Sequence, residues 1–302
     1  MQFHWTTLKQ TVTEFFEDDA LRLSAALAYY SVFSLAPLLV ICVAVAGFFF
    51  GEEAVRGQLD DQLRSSLGAS GAYAVQDMVA NARKPETNVW VSLGGIVMLV
   101  VGAGGLFGQL QDALNTVWGV KRKAGRGIAG LAKDRFLSFT MVLGTGFLLL
   151  TSMILSAILQ SMSEWAGNIA SLPPQLWAAA SSVVSLGVIV ILFAAIFKVL
   201  PDARVRWRHV WVGAIFTAVL FAAGKAGIGW YLGREATAST YGAAGSLALV
   251  LLWVYYSSII LLFGAEFTQV WANSQGEEIE PDEDAEFTAR EVLPANRGES
   301  TF

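Results

Sequence analysis

The sequence predicts an all-α membrane protein: a polytopic bundle of six transmembrane helices, with an amphipathic helix before the first span and an external helical segment between spans one and two. Three observations predict it. Of 302 residues, 55% are hydrophobic and only 15% charged, where a soluble domain carries about a quarter charged residues. The mean hydropathy is correspondingly high, at +0.53. The apolar residues gather in six continuous runs, near Leu23–Phe50, Val89–Leu110, Phe136–Met162, Leu176–Phe197, Val210–Leu232 and Gly242–Trp271. Each run is close to or above the ~20 residues a helix needs to cross the hydrocarbon core, and none shows the period-two alternation of a membrane barrel.

Residues 1–22 place Trp5, Leu8, Val12, Phe15 and Phe16 near one helical face, with Lys9, Glu14 and Asp18 around it. This reads as an amphipathic helix, lying either at the inner interface or on the protein's own cytoplasmic face. The domain reading is therefore an interfacial helix at 1–22, a six-span membrane domain at 23–272 and a tail at 273–302.

The first run has no charge from Leu23 to Phe50, is too long for a removable signal, follows a segment with four acidic residues and lacks a short apolar core ending in an A-x-A site, so it is expected to stay in the membrane. A straight helix of that length would measure about 42 Å against a core of ~30 Å, so Pro37 predicts a kink or a tilt. In the interval 51–88, Val55, Leu59, Leu63 and Leu67 recur every four residues, Gly68 and Gly71 interrupt, and Val75, Met78, Val79 and Ala82 resume. Two short amphipathic helices capping the bundle follow from that spacing.

Orientation comes from the basic residues in short loops. Lys121, Arg122, Lys123, Arg126, Lys133 and Arg135 follow the second run, and Lys198, Arg204, Arg206 and Arg208 follow the fourth. The loops after the third and fifth runs hold no basic residue and Arg234 alone. Both basic loops are thus expected in the cytoplasm, and with six spans both termini as well. Lys121, Arg122, Lys123, Arg204, Arg206 and Arg208 are the expected contacts to anionic lipid. The tail from Asn273 has nine acidic residues against Arg290 and Arg297, a composition that predicts disorder. The lone Cys42 excludes a disulfide within the chain.

Polar groups inside the runs are the candidates for function. Tyr30, Ser34 and Pro37 share a face of the first span, and Tyr255, Ser258, Leu262 and Glu266 one face of the last. Lys225 lies about two thirds of the way across the fifth span, by the ~1.5 Å rise per residue. Hydroxyls in a span either bond across helices or line a wet cavity, whereas a charge there points to function unless it serves assembly or snorkels to the interface. Gly104 with Gly108, and Gly213, Thr217, Gly224 and Gly227, form small-residue faces of the kind that pack helices closely. Spans two and five both begin Val-Trp-Val, as an inverted repeat would, but Tyr-Tyr-Ser recurs at 255–257, which such a repeat would not pair.

Several stretches carry a resemblance: LAYYSVFSLAPLLVI at 27–41, ALNTVWGV after the second run, Pro201 with RWRHVWVGA, Lys225 followed by Tyr231, and YGAAGSLALVLLWVYYSSIILLFGAEF. In this order they resemble the YihY/BrkB family of bacterial inner-membrane proteins, from about Leu21 to Trp271. The resemblance implies six spans, an association with serum resistance and envelope physiology, and suggestions of transport; the older name ribonuclease BN is regarded as a misassignment. Positions matching the family pattern are Tyr29, Pro37, Asn115, Trp118, Pro201, Gly213, Lys225, Tyr241, Gly245, Trp253, Gly264 and Glu266.

The residues themselves offer no enzyme chemistry. A metal-dependent nuclease needs clustered histidines and carboxylates, and His4 and His209 stand alone, so neither metal nor other cofactor is expected. There is no P-loop and no nucleophile elbow, and the basic loop lacks the aromatic residues of a nucleic-acid surface. The leading expectation is a secondary transporter or exporter of a small solute or ion. Its pathway would run between spans one, five and six through Tyr30, Ser34, Pro37, Lys225, Tyr255, Ser258 and Glu266, with Glu266 as proton or cation carrier and Lys225 as counter-charge or anion contact. The alternatives are a lipid-handling, flippase-like protein and an envelope protein in which the polar groups only hold the bundle. Membrane lipids, an unknown solute, ion or lipid, and a second copy of the chain are the partners these readings admit.

Overall fold

The computed structural model describes residues 5–82, 105–123, 174–234, 238–277 and 279–288. The run expected at 136–162, and most of the one at 89–110, lie outside the described residues. What is described is mostly helical. Among the described residues three helices are long and apolar enough to cross a membrane, over Ser182–Val199, Trp207–Gly227 and Leu247–Ser274, and a shorter apolar stretch covers Ala20–Leu35. Their outward residues, such as Val183, Ile191, Ile215, Val219 and Leu252, are apolar and exposed, as suits helices that meet lipid on one side.

Helix α1 (Trp5–Glu17) stops where Asp19 adopts a left-handed backbone, φ 54, a conformation that aspartate tolerates better than most residues. The break redirects the chain into α2 (Ala20–Phe50). This lets α1 fold back onto the last helix, with buried Phe15 edge-on to Phe263 at 5.6 Å. The helical assignment of α2 runs through Pro37. Ser31 donates to the Leu27 carbonyl at 2.7 Å, so its hydroxyl is satisfied within its own helix and not across to another.

Helical residues Glu52–Ala82 follow as α3. Within them Gln76 hydrogen-bonds Asp60, sixteen positions earlier. A straight helix would hold that pair about 24 Å apart, so the helical path must double back between them, where Gly68 and Gly71 lie. The two amphipathic halves expected from the sequence thereby face each other. Val75 buries against Leu39 of α2 and Val250 of the last helix, with Leu59, Leu63 and Val79 packed around them.

Helix α4 (105–117) ends at Gly119, φ 62, and leads into strand β1 (Val120–Arg122). Then come α5 (Pro174–Val199), β2 (Ala203–Arg204), α6 (Trp207–Arg234) and α7 (Ala238–Ser274). Helix α5 packs on α6, α6 on α7, and α7 also receives α1, α2 and α3. The core lies at the end that carries the basic loops. There Trp118 meets Phe197 edge-on at 6.0 Å and Phe216 stacks on Phe267 at 4.0 Å.

The α6–α7 contact explains the small-residue face. Gly213 lies against the Thr268 side chain and Gly264 against the Thr217 side chain, while Gly224 receives Tyr256. Each threonine donates back to the glycine carbonyl one turn earlier in its own helix, Thr217 to Gly213 and Thr268 to Gly264, both at 2.7 Å. The hydroxyls are thus satisfied without a partner across the interface, and the missing side chains give the threonines room.

The tail departs from expectation. Beyond Gly276, whose φ of 73 ends α7, residues 279–288 form β3 (Glu280–Pro281) and β4 (Ala285–Phe287) and are not structureless. Strand β3 pairs antiparallel with β2, and β4 antiparallel with β1. Nine acidic residues cannot build a core, but a segment that borrows two buried anchors, Ile279 and Ala285, and lays its charges on basic loops need not build one.

Candidate functional site

Two polar constellations occupy the basic end of the bundle. The first is around Glu266. Its side chain is fully buried, and neither carboxylate oxygen has a hydrogen-bond partner among the described residues. At ~100° per residue, a position two away from both Gly264 and Thr268 projects from the side of α7 opposite α6. That side receives α1, and Glu266 lies within electrostatic reach of Asp18 and Glu14. One turn further along α7, Gln269 and Asn273 line a cavity of about 440 Å³ together with Glu14, Glu17, Asp18, Thr116 and Lys121. A buried carboxylate therefore sits just inside an acidic vestibule.

The residues expected along one pathway are not all brought together. Ser34 is buried, and with Tyr30, which is 42% exposed, it faces Gly105 of α4. Ser258 is buried and Tyr255 half-buried on α7, whereas the Pro37 side chain lies outside the described residues. Lys225 is half-buried on α6. The pairings of Gly213 with Thr268 and Gly224 with Tyr256 set Lys225 level with Tyr256. Glu266 is ten residues further along α7, about 15 Å away along the axis and on the far side of that helix. Lys225 is thus no counter-charge to Glu266, a difference that arises because periodicity fixes the faces of each helix but not how two helices rotate about each other.

The second constellation centres on Asp202, which is 8% exposed. Its carboxylate accepts from Asn115 Nδ2 at 2.8 Å, Arg122 Nε at 2.9 Å and Gln111 Nε2 at 3.3 Å. Its backbone N–H donates to Asn115 Oδ1 at 2.9 Å, and its carbonyl accepts from the Asp282 N–H at 2.9 Å. One aspartate so joins α4, β1, the loop before β2 and the tail. The sequence marks Asn115, Trp118 and Pro201 only as positions of a family pattern; Asp202, Gln111, His209 and Glu277 escape it, since partners 68 to 91 positions apart leave no local signal.

The basic residues expected on lipid are engaged by the tail. Lys121 pairs with Glu286 at 3.4 Å, and Arg204 with Asp282 at 3.1 Å and Glu283 at 3.0 Å. Arg206 pairs with Glu277 at 2.8 Å, and Lys123 donates to the Glu283 carbonyl at 2.8 Å. Arg122 turns inward to Asp202, and Arg208 is exposed at the start of α6. Buried His209 contacts Glu277 through Nε2 at 2.6 Å. Among the described residues no group of three or more histidines, cysteines and carboxylates stands together as a metal site.

The hydrogen bond with His209 holds the Glu277 carboxyl below the ordinary carboxylate range; partial burial opposes this, and Arg206 adds to it. A carboxyl depressed in the folded state contributes stability above its unfolded pKa of ~4.3 and loses it as pH falls through the lower folded value. Wild type and Glu277→Gln should therefore differ in thermal stability at neutral pH, wild type being the more stable, and converge below that range. Parallel melting curves across pH check this, and a constant gap down to strong acid would refute it.

Comparison with known proteins fits this arrangement. The profile of the family described as Virulence factor BrkB matches residues 11–288, a stretch that runs from the second half of α1 through both tail strands. The chain is 30% identical over 276 residues to a UPF0761 membrane protein of Verminephrobacter eiseniae, covering 88% of this chain and 62% of that one. A UPF0761 membrane protein of Saccharophagus degradans is 31% identical over 261 residues, covering 86% and 58%. One from Alteromonas mediterranea is 30% identical over 259 residues, covering 83% of each. The chain thus spans about three fifths of the length of the first two of these relatives. No solved structure matches it. With a match from α1 to the last tail strand, and relatives that are themselves named membrane proteins, the chain belongs to the Virulence factor BrkB family of membrane proteins.

Proposed function

We propose that the protein is a secondary transporter of the bacterial inner membrane, with both termini in the cytoplasm and Glu266 as the group that takes up and releases a proton or cation. One observation carries the reading. A fully buried carboxylate without a hydrogen-bond partner among the described residues, in a helix long and apolar enough to span, lies behind a cavity lined by Glu14, Glu17 and Asp18. Keeping such a group charged and unpaired costs several kcal/mol, so it favours a bound proton or a coordinated cation, and the acidic vestibule raises the local concentration of either. Lys225 falls outside this path; Ser258 and Tyr255, which lie deeper on α7, are its continuation.

The test is ion flux in liposomes holding the purified protein and a pH dye, wild type beside Glu266→Gln, under imposed cation gradients. Flux in the wild type that falls at least roughly tenfold in a folded Glu266→Gln protein is the expected result. A variant that loses its fold would assign Glu266 to assembly, and a wild type without flux would overturn coupled transport. Lipid handling is less favoured, because the buried Glu266 and the acidic lining of the cavity would repel an anionic headgroup.

A further inference from the structure

We propose that residues 277–288 are a releasable strap covering a polybasic surface, and that an anionic bilayer surface is the partner that displaces it. The inference does not require the transport reading: Lys121 also lines the vestibule, but release of the strap is read by hydrogen exchange and not by flux.

The strap is built to close and to come off. Closure has direction and register: two antiparallel pairings set Arg204 opposite Glu280 and Lys121 opposite Glu286. Backbone bonds lock the register, Asp282 N–H to the Asp202 carbonyl at 2.9 Å and Thr288 N–H to the Gly119 carbonyl at 2.7 Å. Signs are complementary along its length, with Glu277 on Arg206, Asp282 and Glu283 on Arg204, and Glu286 on Lys121. Apart from the bond of Glu277 to buried His209, which anchors its start, each element is nonetheless weak. The strands are two and three residues long, far below the usual length of a stable strand. The Lys121, Arg204 and Arg206 side chains stay 52%, 53% and 74% exposed, so their ion pairs are screened by salt and contribute little individually. Only Ile279 and Ala285 of its described residues are fully buried, and Phe287 stays 38% exposed.

The surface beneath has an obvious competitor. Lys121, Lys123, Arg204 and Arg206 stand where helices α4, α5 and α6 begin or end, next to the apolar stretches Ser182–Val199 and Trp207–Gly227. Basic residues so close to a span lie within a Debye length of the lipid headgroups, and anionic headgroups attract them with an energy comparable to an exposed ion pair. Strap and bilayer therefore offer the same cations negative charge of similar worth. The composition of the membrane decides which one holds them.

Hydrogen exchange over 279–288 tests this directly, on the full chain in nanodiscs of phosphatidylcholine alone or with phosphatidylglycerol, at one salt concentration. The expected result is protection in the neutral discs and exchange faster by roughly tenfold or more in the anionic ones. In the triple variant Lys121→Gln, Arg204→Gln, Arg206→Gln, which removes the contested charges, exchange should be fast in both. Equal protection of the wild type in both discs would overturn the proposal and make the strap a permanent part of the fold. Fast exchange of the wild type in neutral discs would overturn it too, since nothing would then be there to displace.

Discussion

Gly213→Val is expected to leave little or no folded protein, and Gly213→Ala to destabilise the bundle despite improving the helix. Propensity alone predicts that alanine stabilises a helical glycine by about 1 kcal/mol. Packing predicts the reverse. A Cβ at Gly213 would collide with the Thr268 side chain, whose hydroxyl is tied to the Gly264 carbonyl and whose own position is set by the Gly264–Thr217 contact on the next turn. Overpacking of this kind costs about 1–3 kcal/mol for a methyl and more for a branched side chain that cannot rotate away. The reciprocal arrangement supplies its own control. Exchanging sizes across the interface, Gly213→Ala with Thr268→Gly, should recover most of the loss, with a coupling of about 1–3 kcal/mol in a double-mutant cycle. Detergent-solubilised yield and thermal unfolding by size-exclusion chromatography measure it. Additive losses in the double variant would show that the two residues do not act on each other.

That interface also shows how far the sequence could be read. Gly213, Thr217 and Gly224 share a helical face at spacings visible on the page, and their role in close packing follows from size alone. The partners Thr268, Gly264 and Tyr256 do not follow, because periodicity says which face is small without saying what rests on it. The same limit misplaced Lys225. Its depth in α6 was readable from residue counts, but its separation from Glu266 depends on the rotation of α6 against α7, fixed only by three-dimensional contacts. The apolar stretches were the most legible feature, since hydropathy is a local sum, and the stretches in α5, α6 and α7 lie close to where it puts them.

The tail failed for a different reason. A composition of nine acids predicts that a segment cannot fold by itself, and that inference stands. It does not forbid the segment from being held by loops whose charges oppose its own. The basic residues at 121–123 and 204–206 and the acidic residues at 277–286 are each conspicuous in the sequence. Reading the first set as a lipid surface and the second as solvated left no reason to bring them together, although they are each other's nearest opposite charge.

The second large effect is expected at Asp202, where the logic of buried charge is plainest. Asp202→Ala removes the acceptor for Asn115 and Gln111 and the counter-ion of Arg122 in one step, in a carboxylate whose side chain is only 10% exposed. Breaking a buried pair from one side costs about 3–5 kcal/mol when the partner's charge is left without compensation, and Arg122, which has a further interaction, keeps part of its own. The Arg122 side chain keeps 29% of its surface in solvent, which places the expected loss near the lower end, about 3 kcal/mol. Asp202→Asn separates the contributions. It keeps the volume and an oxygen for Asn115 but surrenders the charge that Arg122 meets, so a smaller loss of about 1–2 kcal/mol is expected. Because the Asp202 carbonyl also accepts the Asp282 N–H, a displaced loop should free the strap as well. Thermal unfolding ranks the three proteins, and hydrogen exchange at 279–288 reads the strap. Faster exchange there in Asp202→Ala, with Asp202→Asn unchanged, would mean that the position of the loop, not its charge, carries the tail; an alanine variant as stable as wild type would remove Asp202 from the centre of this end of the bundle.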